Sequence, residues 1–153
     1  MINSFTGKWH NLSNFGEGKV YMPDGILYPR REHAFQAQKT LDLTLRRDLF
    51  CQGQPADAKR LGQTVPLRPD WEHIKVTVMH DVLRCAFNQN HFLRQLLAST
   101  GKEELVEGNR HHDTFWGVCH CAKHRGKGQN HLGLLLMAIR VEPRFPAHGG
   151  SAR

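Results

Sequence analysis

Long apolar runs are absent from the sequence, and none approaches the roughly 20 residues that a transmembrane helix needs. The first fifteen residues, MINSFTGKWHNLSNF, also lack the charged start and the continuous apolar core of a signal peptide. Cysteine is scarce, with four residues in a chain of 153. We therefore expect a cytoplasmic protein whose cysteines stay reduced.

Acidic residues are few relative to basic ones: 14 Asp and Glu stand against 21 Lys and Arg, and the net charge is +7 with histidine neutral. This balance favours an anionic partner, which can be a phosphorylated metabolite, a nucleotide or a nucleic acid. The basic residues are spread through the chain, so the charge does not mark a nucleic-acid-binding tail.

Repeats, low-complexity blocks and internal linkers are also missing, and the chain length suits one domain. The apolar patterns predict a helix-rich domain with a few short strands. Extended segments are expected at residues 5–15, in a hairpin over 20–28 that turns at Pro23-Asp24-Gly25, and at 105–106 and 115–118. Helices are expected at residues 41–51, 56–61, 71–87 with Asp70 as N-cap, 91–99 and 130–141.

Residues 28–39, YPRREHAFQAQK, form the segment around which the functional prediction is built. A helix here would bring Glu32, Gln36 and Lys39 to one face, because residues three, four and seven apart share a face. A carboxylate and an amine held together on a rigid element can act as acid, base or nucleophile. His33 turns about 100° away from Glu32, which favours packing over catalysis.

Five further segments combine polar and aromatic residues where a core needs neither. In order they are residues 12–15 (LSNF), 68–72 (RPDWE), 100–107 (TGKEELVE), 113–117 (DTFWG) and 128–133 (GQNHLG). Together with residues 28–39 this ordered set resembles the YbiA-like family, also called NADAR for its association with NAD and ADP-ribose metabolism. The resemblance extends from residue 5 to about residue 140.

The resemblance implies an α+β fold: a single compact, mostly helical domain over residues 1–142, followed by a flexible tail at 143–153. It also implies an N-glycosidase that uses no cofactor and cleaves the bond between a ribose and a base-like nitrogen. The implied substrate classes are phosphorylated riboflavin-pathway intermediates and ADP-ribose attached to guanine bases or nucleic acid.

Cleavage of a ribosyl C–N bond passes through an oxocarbenium-like state, which needs negative charge near the anomeric carbon. Glu32 suits this role, either as electrostatic stabiliser or as base for the attacking water. Asp113 is predicted to hold ribose hydroxyls or to activate water. Lys39 has two interpretations, a point charge for a phosphate or a nucleophile that forms a Schiff base with ring-opened ribose.

The predicted substrate-binding residues fall into three chemical groups. Trp71, Trp116 and Phe15 are aromatic residues of the motifs, and the two tryptophans are candidates for stacking on the base. The remaining members are polar residues or a motif glycine: Asn14, Arg31, Gln36, Arg68, Glu107, Gly117 and Asn130.

Cys119, Cys121 and His124 lie in a segment, CHCAKH, where the family has a glycine-rich loop. Their spacing is poor for zinc, because structural sites use two separated pairs of ligands and C-x-C crowds both thiolates. The sequence therefore predicts a histidine-rich loop beside the site and no bound metal.

Two alternatives to an enzyme are compatible with the same residues. One is a non-catalytic module that binds ADP-ribose or a nucleotide, which would leave its ligand intact. The other is a nucleic-acid-binding protein, for which affinity would depend steeply on salt.

Overall fold

The hairpin and the first helix form where the sequence predicts them. In the computed structural model, which describes residues 1–143, β1 (Val20–Tyr21) pairs antiparallel with β2 (Leu27–Tyr28). Gly25 closes the turn at φ +81°, a left-handed conformation that glycine adopts without strain. The chain then enters α1 (Arg31–Ala37) directly, so the hairpin fixes the position of its first turn.

Every residue of α1 is buried, and this helix is the centre of the fold. It packs against α2 (Leu43–Phe50), α3 (Pro55–Leu61) and α4 (Trp71–Gln89). The predicted helix over 28–39 is two residues too long at its end. Lys39 lies in a turn after the helix, with its backbone N–H donating to the carbonyl oxygen of Gln36.

The second half of the chain encloses α4 with two more helices. These are α5 (His91–Ser99) and α6 (His131–Val141), and α4 packs on both of them and on β1. A parallel pair of two-residue strands, β3 (Gly108–Asn109) and β4 (Val118–Cys119), lies between α5 and α6. The architecture is thus α+β and mostly helical, as predicted.

Three predictions of local structure need correction. Residues 5–15 contain a 3₁₀ helix, Gly7–Leu12, in place of a strand, because local carbonyls of Thr6 and His10 accept the N–H groups of Trp9 and Ser13. The strand expected at 105–106 is reduced to one bridge between Ile2 and Leu105, and the strand expected at 115–118 begins only at its last residue. Asp70 is the N-cap residue of α4, as predicted, but its side chain accepts no backbone N–H.

Burial around α2 and in α5 does not follow the hydrophobicity of the residues alone. Arg46 is buried in α2 and pairs with Asp24 of the hairpin turn at 3.1 Å, while Arg47 is exposed. Leu41 and Leu43 are exposed. In α5, Phe92 is exposed, whereas Leu93 and Leu97 are buried and Leu96 packs against the core.

None of the helices in residues 1–143 combines the length and the apolar character needed to span a bilayer. The tail predicted at 143–153 lies, from residue 144 onward, outside the described residues.

Candidate active site

A cavity of about 600 Å³ opens beside α1, within the range typical of small-molecule sites. Its walls come from α1, α3, the first turns of α4 and the loops at 13–15 and 107–116. Nine of the predicted site residues line it, although they come from distant parts of the chain: Asn14, Phe15, Glu32, Gln36, Lys39, Trp71, Glu107, Asp113 and Trp116.

Glu32 is a buried carboxylate on the wall of this cavity, with 7% of its surface exposed. Burial raises its pKa, and Asp113 acts in the same direction. A hydrogen bond donated by Gln36 Nε2 at 2.8 Å and the charges of Lys59 and Lys39 act against this rise. Burial therefore disfavours the negative charge of Glu32. A positive charge that develops beside the carboxylate would stabilise it.

Three acceptor atoms of the cavity wall are buried and have no hydrogen-bond partner within residues 1–143. They are Asn14 Oδ1, Gln36 Oε1 and Glu107 Oε2. Buried polar atoms without partners are rare, because each carries an uncompensated desolvation cost. Less than 1 Å² of each atom is accessible, so a ligand that donates hydrogen bonds could reach them only after the side chains turn towards the cavity.

The position of Gln36 depends on Gly62. A Cβ atom at Gly62 would lie 1.9 Å from Gln36 Oε1, so only glycine leaves room for the amide. Gly62, the C-cap residue of α3, therefore also shapes the cavity.

Three lysines line the cavity together with three carboxylates, those of Glu32, Glu107 and Asp113. Lys39 is half-buried, and burial lowers its pKa, against which the nearby Glu32 carboxylate raises it. Its Nζ lies 5.9 Å from the centre of the Trp71 ring. Lys59 is exposed, whereas Lys75 is paired with Glu72 at 2.7 Å and lies 4.1 Å above the Phe115 ring. Lys39 and Lys75 are thus partly buried, and Lys59 is the exposed lysine of the three.

An aromatic wall faces these charges. Phe35 contacts Trp71 and Trp116, with ring centroids 5.2 and 5.3 Å away. Trp71 is 5% exposed, so it both packs in the core and lines the cavity. The wall offers a planar base a surface for stacking.

Glu107 and Asp113 are the two carboxylates of the cavity wall that lie outside α1. Burial raises the pKa of Glu107 to about 7, and the charge of Asp113 adds to the effect. Asp113 Oδ1 accepts the backbone N–H groups of Phe115 and Trp116 at 3.0 and 2.9 Å, so this oxygen holds the loop. Asp113 therefore has both a structural role and a place on the cavity wall.

Four predicted binding residues do not line the cavity. Each of them contacts residues or loops that form its wall. Asn130 accepts from the N–H of Glu107 at 2.9 Å and donates to Leu105 O at 2.9 Å. At Gly117, a Cβ atom would lie 2.2 Å from Glu107 O. The two arginines also have structural partners.

Arg31 is fully buried, and its guanidinium donates to the carbonyl oxygens of Asn11 and Ser13, which holds the loop that carries Asn14. Arg68 pairs with Asp70 at 2.7 Å, and its N–H donates to Lys39 O at 2.8 Å. These contacts position neighbouring cavity residues.

The sequence analysis missed nine lining residues: His10, Ser13, Phe35, Lys59, Gln63, Lys75, Met79, His111 and Leu132. A signal existed for three of them, because Lys75 and Met79 follow Trp71 at steps of four along α4 and so share its face. Phe35 likewise follows Glu32 by three residues in α1, whereas the others depend on the way separate segments meet.

Comparisons with known proteins bear on the family and the fold. The NADAR domain family matches residues 3–144. The N-glycosidase YbiA of Escherichia coli (strain K12) is 39% identical over 141 residues, which cover 91% of this chain and 84% of that protein. The NMR structure of the E. coli protein YbiA has a TM-score of 0.73 at 36% identity, covering 92% of this chain and 84% of that one.

A plant protein matches as well. The chloroplastic riboflavin biosynthesis protein PYRR of Zea mays is 35% identical over 160 residues, which cover 92% of this chain and 25% of that protein. The chain therefore corresponds to about a quarter of this longer relative.

Proposed function

The chain belongs to the NADAR domain family and is an N-glycosidase, and we propose that it cleaves a ribosyl C–N bond in a phosphate-bearing substrate. Its preferred substrate would be a small phosphorylated ribosylamino intermediate of the riboflavin-pathway type. The observation that carries this proposal is the meeting of Glu32 with three unpartnered acceptors in one cavity.

Ribose matches the unpartnered acceptors. Once these side chains turn towards the cavity, the ribose hydroxyl groups can donate to Asn14 Oδ1, Gln36 Oε1 and Glu107 Oε2, and these bonds would hold the sugar against α1. The anomeric carbon would then face Glu32, whose carboxylate favours a positive charge that develops at this carbon over the neutral ground state.

Phosphate recognition is assigned to Lys59 and Lys75, and base recognition to the aromatic wall. Both amines line the cavity and can act as point charges for a phosphate. The name of the maize relative, a riboflavin biosynthesis protein, supports the small-metabolite class.

ADP-ribose attached to guanine is the second candidate substrate. The observation in its favour is the stacking surface of Trp71, Trp116 and Phe35, which suits a purine, together with the basic net charge. A non-catalytic binding module is disfavoured, because the matched E. coli relative is an N-glycosidase.

Lys39 is proposed to attack the anomeric carbon. In the ring-opened sugar, the bond between this carbon and the base nitrogen is an imine. The neutral amine of Lys39 adds to that carbon, the base leaves with its nitrogen as a free amine, and a lysine imine remains. Water then hydrolyses the lysine imine to the sugar aldehyde and restores the amine. The lowered pKa of Lys39 favours the neutral form that this step needs.

The substrate class is tested by offering both candidates to purified protein and identifying the products by mass spectrometry. We expect release of the free pyrimidine amine from a ribosylaminopyrimidine phosphate. Its kcat/KM should be at least about tenfold above that for ADP-ribosyl-guanine, a preference that corresponds to about 1.4 kcal/mol of transition-state binding. The reverse order would move the assignment to ADP-ribosyl-guanine. Intact ligands after long incubation would contradict the proposal.

Glu107 is proposed as the general acid, and this assignment predicts a pH dependence. With a pKa of about 7, Glu107 carries its proton below neutrality and loses it above. We expect kcat/KM to fall above about pH 7, by tenfold per pH unit, and Glu107→Gln to be slower by about 10²-fold with that limb absent.

Asp113→Asn provides the matched test of the pH limb. Its charge raises the pKa of Glu107, so its removal should move the limb to lower pH. The amide oxygen can still accept from Phe115 and Trp116, which keeps the loop in place. An unchanged limb in Glu107→Gln would assign the titration to another group.

A further inference from the structure

Four potential metal ligands converge outside the cavity. His112, Cys119, Cys121 and His124 each offer one ligand atom, and these four atoms all lie within 4.8 Å of one another. None of the four side chains lines the cavity. The group therefore needs an explanation of its own.

Two of the spacings between ligand atoms are close to those of a tetrahedral zinc site. Cys121 Sγ lies 3.4 Å from His112 Nδ1 and 3.3 Å from His124 Nδ1. Zinc bonds of about 2.3 Å to sulfur and 2.0–2.1 Å to nitrogen, at a tetrahedral angle, place sulfur and nitrogen about 3.6 Å apart. Binding of a zinc ion at the centre would thus lengthen these two sulfur–nitrogen distances by only tenths of an ångström.

The backbone of residues 119–127 holds the ligands without help from a metal. Gly126 N–H donates to Cys119 O at 2.8 Å, and Arg125 N–H donates to Cys121 O at 2.8 Å. Gly126 has φ +80°, which lets the chain fold back on β4. The turn brings His124 to Cys121, so both thiols of the C-x-C sequence face one point.

His112 completes the set from a different loop. Its φ of +71° lies in the left-handed region, which is unfavourable for a residue with a side chain. Such strain persists where the surroundings require it, and it clusters at ligand-binding positions. This ligand comes from the loop before Cys119, which is why the spacing within CHCAKH alone argued against a metal.

We propose that His112, Cys119, Cys121 and His124 bind one zinc ion in a structural Cys₂His₂ site. Two thiolates and two imidazoles in tetrahedral positions suit zinc among the common metals. Four protein ligands leave no open position for a water or a substrate, so the ion has a structural role.

The site would brace the loop that carries two cavity residues. His111 and Asp113 flank His112 in sequence, and both line the cavity. A metal bond to His112 would fix this short segment against β4. This consequence for turnover rests on the proposed function, whereas metal binding itself does not.

The test is the zinc content of tag-free protein, produced with zinc in the medium and measured by mass spectrometry of the metal. We expect about one zinc per chain in the wild type, and less than about a tenth of that in Cys121→Ser and His112→Ala, because a structural site needs its full ligand set. The control is Cys85→Ser, which changes a half-buried free thiol on α4 and should keep the metal. X-ray absorption at the zinc edge should give two sulfur and two nitrogen neighbours.

Two results would overturn the proposal. One is protein that contains no zinc and takes up none on titration with zinc chloride. The other is a mass 2 Da below that of the reduced chain, lost in Cys121→Ser, which would identify a Cys119–Cys121 disulfide. Zinc content is measured without substrate. It therefore tests the metal site even if a Glu32→Gln variant keeps full activity, which would contradict the proposed function.

Discussion

Glu32→Gln is expected to lower kcat by about 10²–10⁴-fold, the range typical of a lost acid–base or charge-stabilising group. The substitution removes one charge and little else. Gln36 Nε2 can still donate to the new amide oxygen, as it does to Glu32 Oε1 at 2.8 Å. The loss should therefore appear in kcat and kcat/KM together, because the interaction is strongest in the transition state.

The stability of the same variant separates a catalytic effect from unfolding. Because burial raises the pKa of Glu32, the folded chain holds this proton more tightly than the unfolded chain does. As pH rises above the ordinary value of 4.5, the unfolded state gains from ionisation that the folded state resists, so stability falls. Glutamine has no such cost, and at pH 8 the Tm of Glu32→Gln should equal or exceed that of the wild type.

Glu104→Gln is the control, since it removes an exposed carboxylate outside the cavity and should change neither kcat nor Tm. Wild-type turnover by Glu32→Gln would remove Glu32 from the mechanism. A Tm well below that of the wild type would instead mean that the carboxylate supports the fold.

Helices with a clear apolar period could be predicted from the sequence. The 3.6-residue pattern of α4 and the exact agreement for α5 reflect burial of one face, which depends mainly on local sequence. The hairpin was also predictable, because Pro23-Asp24-Gly25 specifies a turn in its own right. Two-residue strands carry too little pattern, and β3 and β4 exist only because distant segments meet.

Burial of charged residues limited the prediction elsewhere. Arg46 and Arg47 are chemically identical neighbours, and the contacts of Arg46 with Asp24 and with the carbonyl oxygen of Thr40 distinguish the buried one. Similarly, Arg31 and Asn130 were expected to meet the substrate, whereas they hold Ser13 and Glu107 in place. A motif residue that positions a loop and one that lines the cavity have the same signature in a single sequence.

The metal site shows the same limit in another form. Spacing within residues 119–124 argued against zinc, and the missing ligand, His112, becomes visible only when β4 and the preceding loop are brought together. The distance in sequence between His112 and Cys121 is short, but the left-handed backbone at His112 cannot be inferred from its residue type.

Lys39→Arg is expected to lower kcat by about 10³-fold or more, because it keeps the positive charge and removes the nucleophilic amine. Arginine is always protonated in proteins, so it can bind a phosphate but cannot form the imine. If Lys39 were only a phosphate anchor, the same variant would keep most of its kcat and change mainly KM. The substitution thus separates the two roles that the sequence left open.

Chemical trapping provides the independent measurement. Cyanoborohydride added during turnover should reduce the lysine imine to a stable secondary amine, which mass spectrometry would locate at Lys39. Lys75→Arg is the matched control, since it makes the same exchange on the same cavity wall and should still give the adduct at Lys39. Turnover without an adduct, joined to an active Lys39→Arg, would instead favour direct attack by water, with Glu32 as its base. The burial that lowers the pKa of Lys39 favours the covalent route, because it makes the neutral amine available beside the carboxylate that stabilises the positively charged imine.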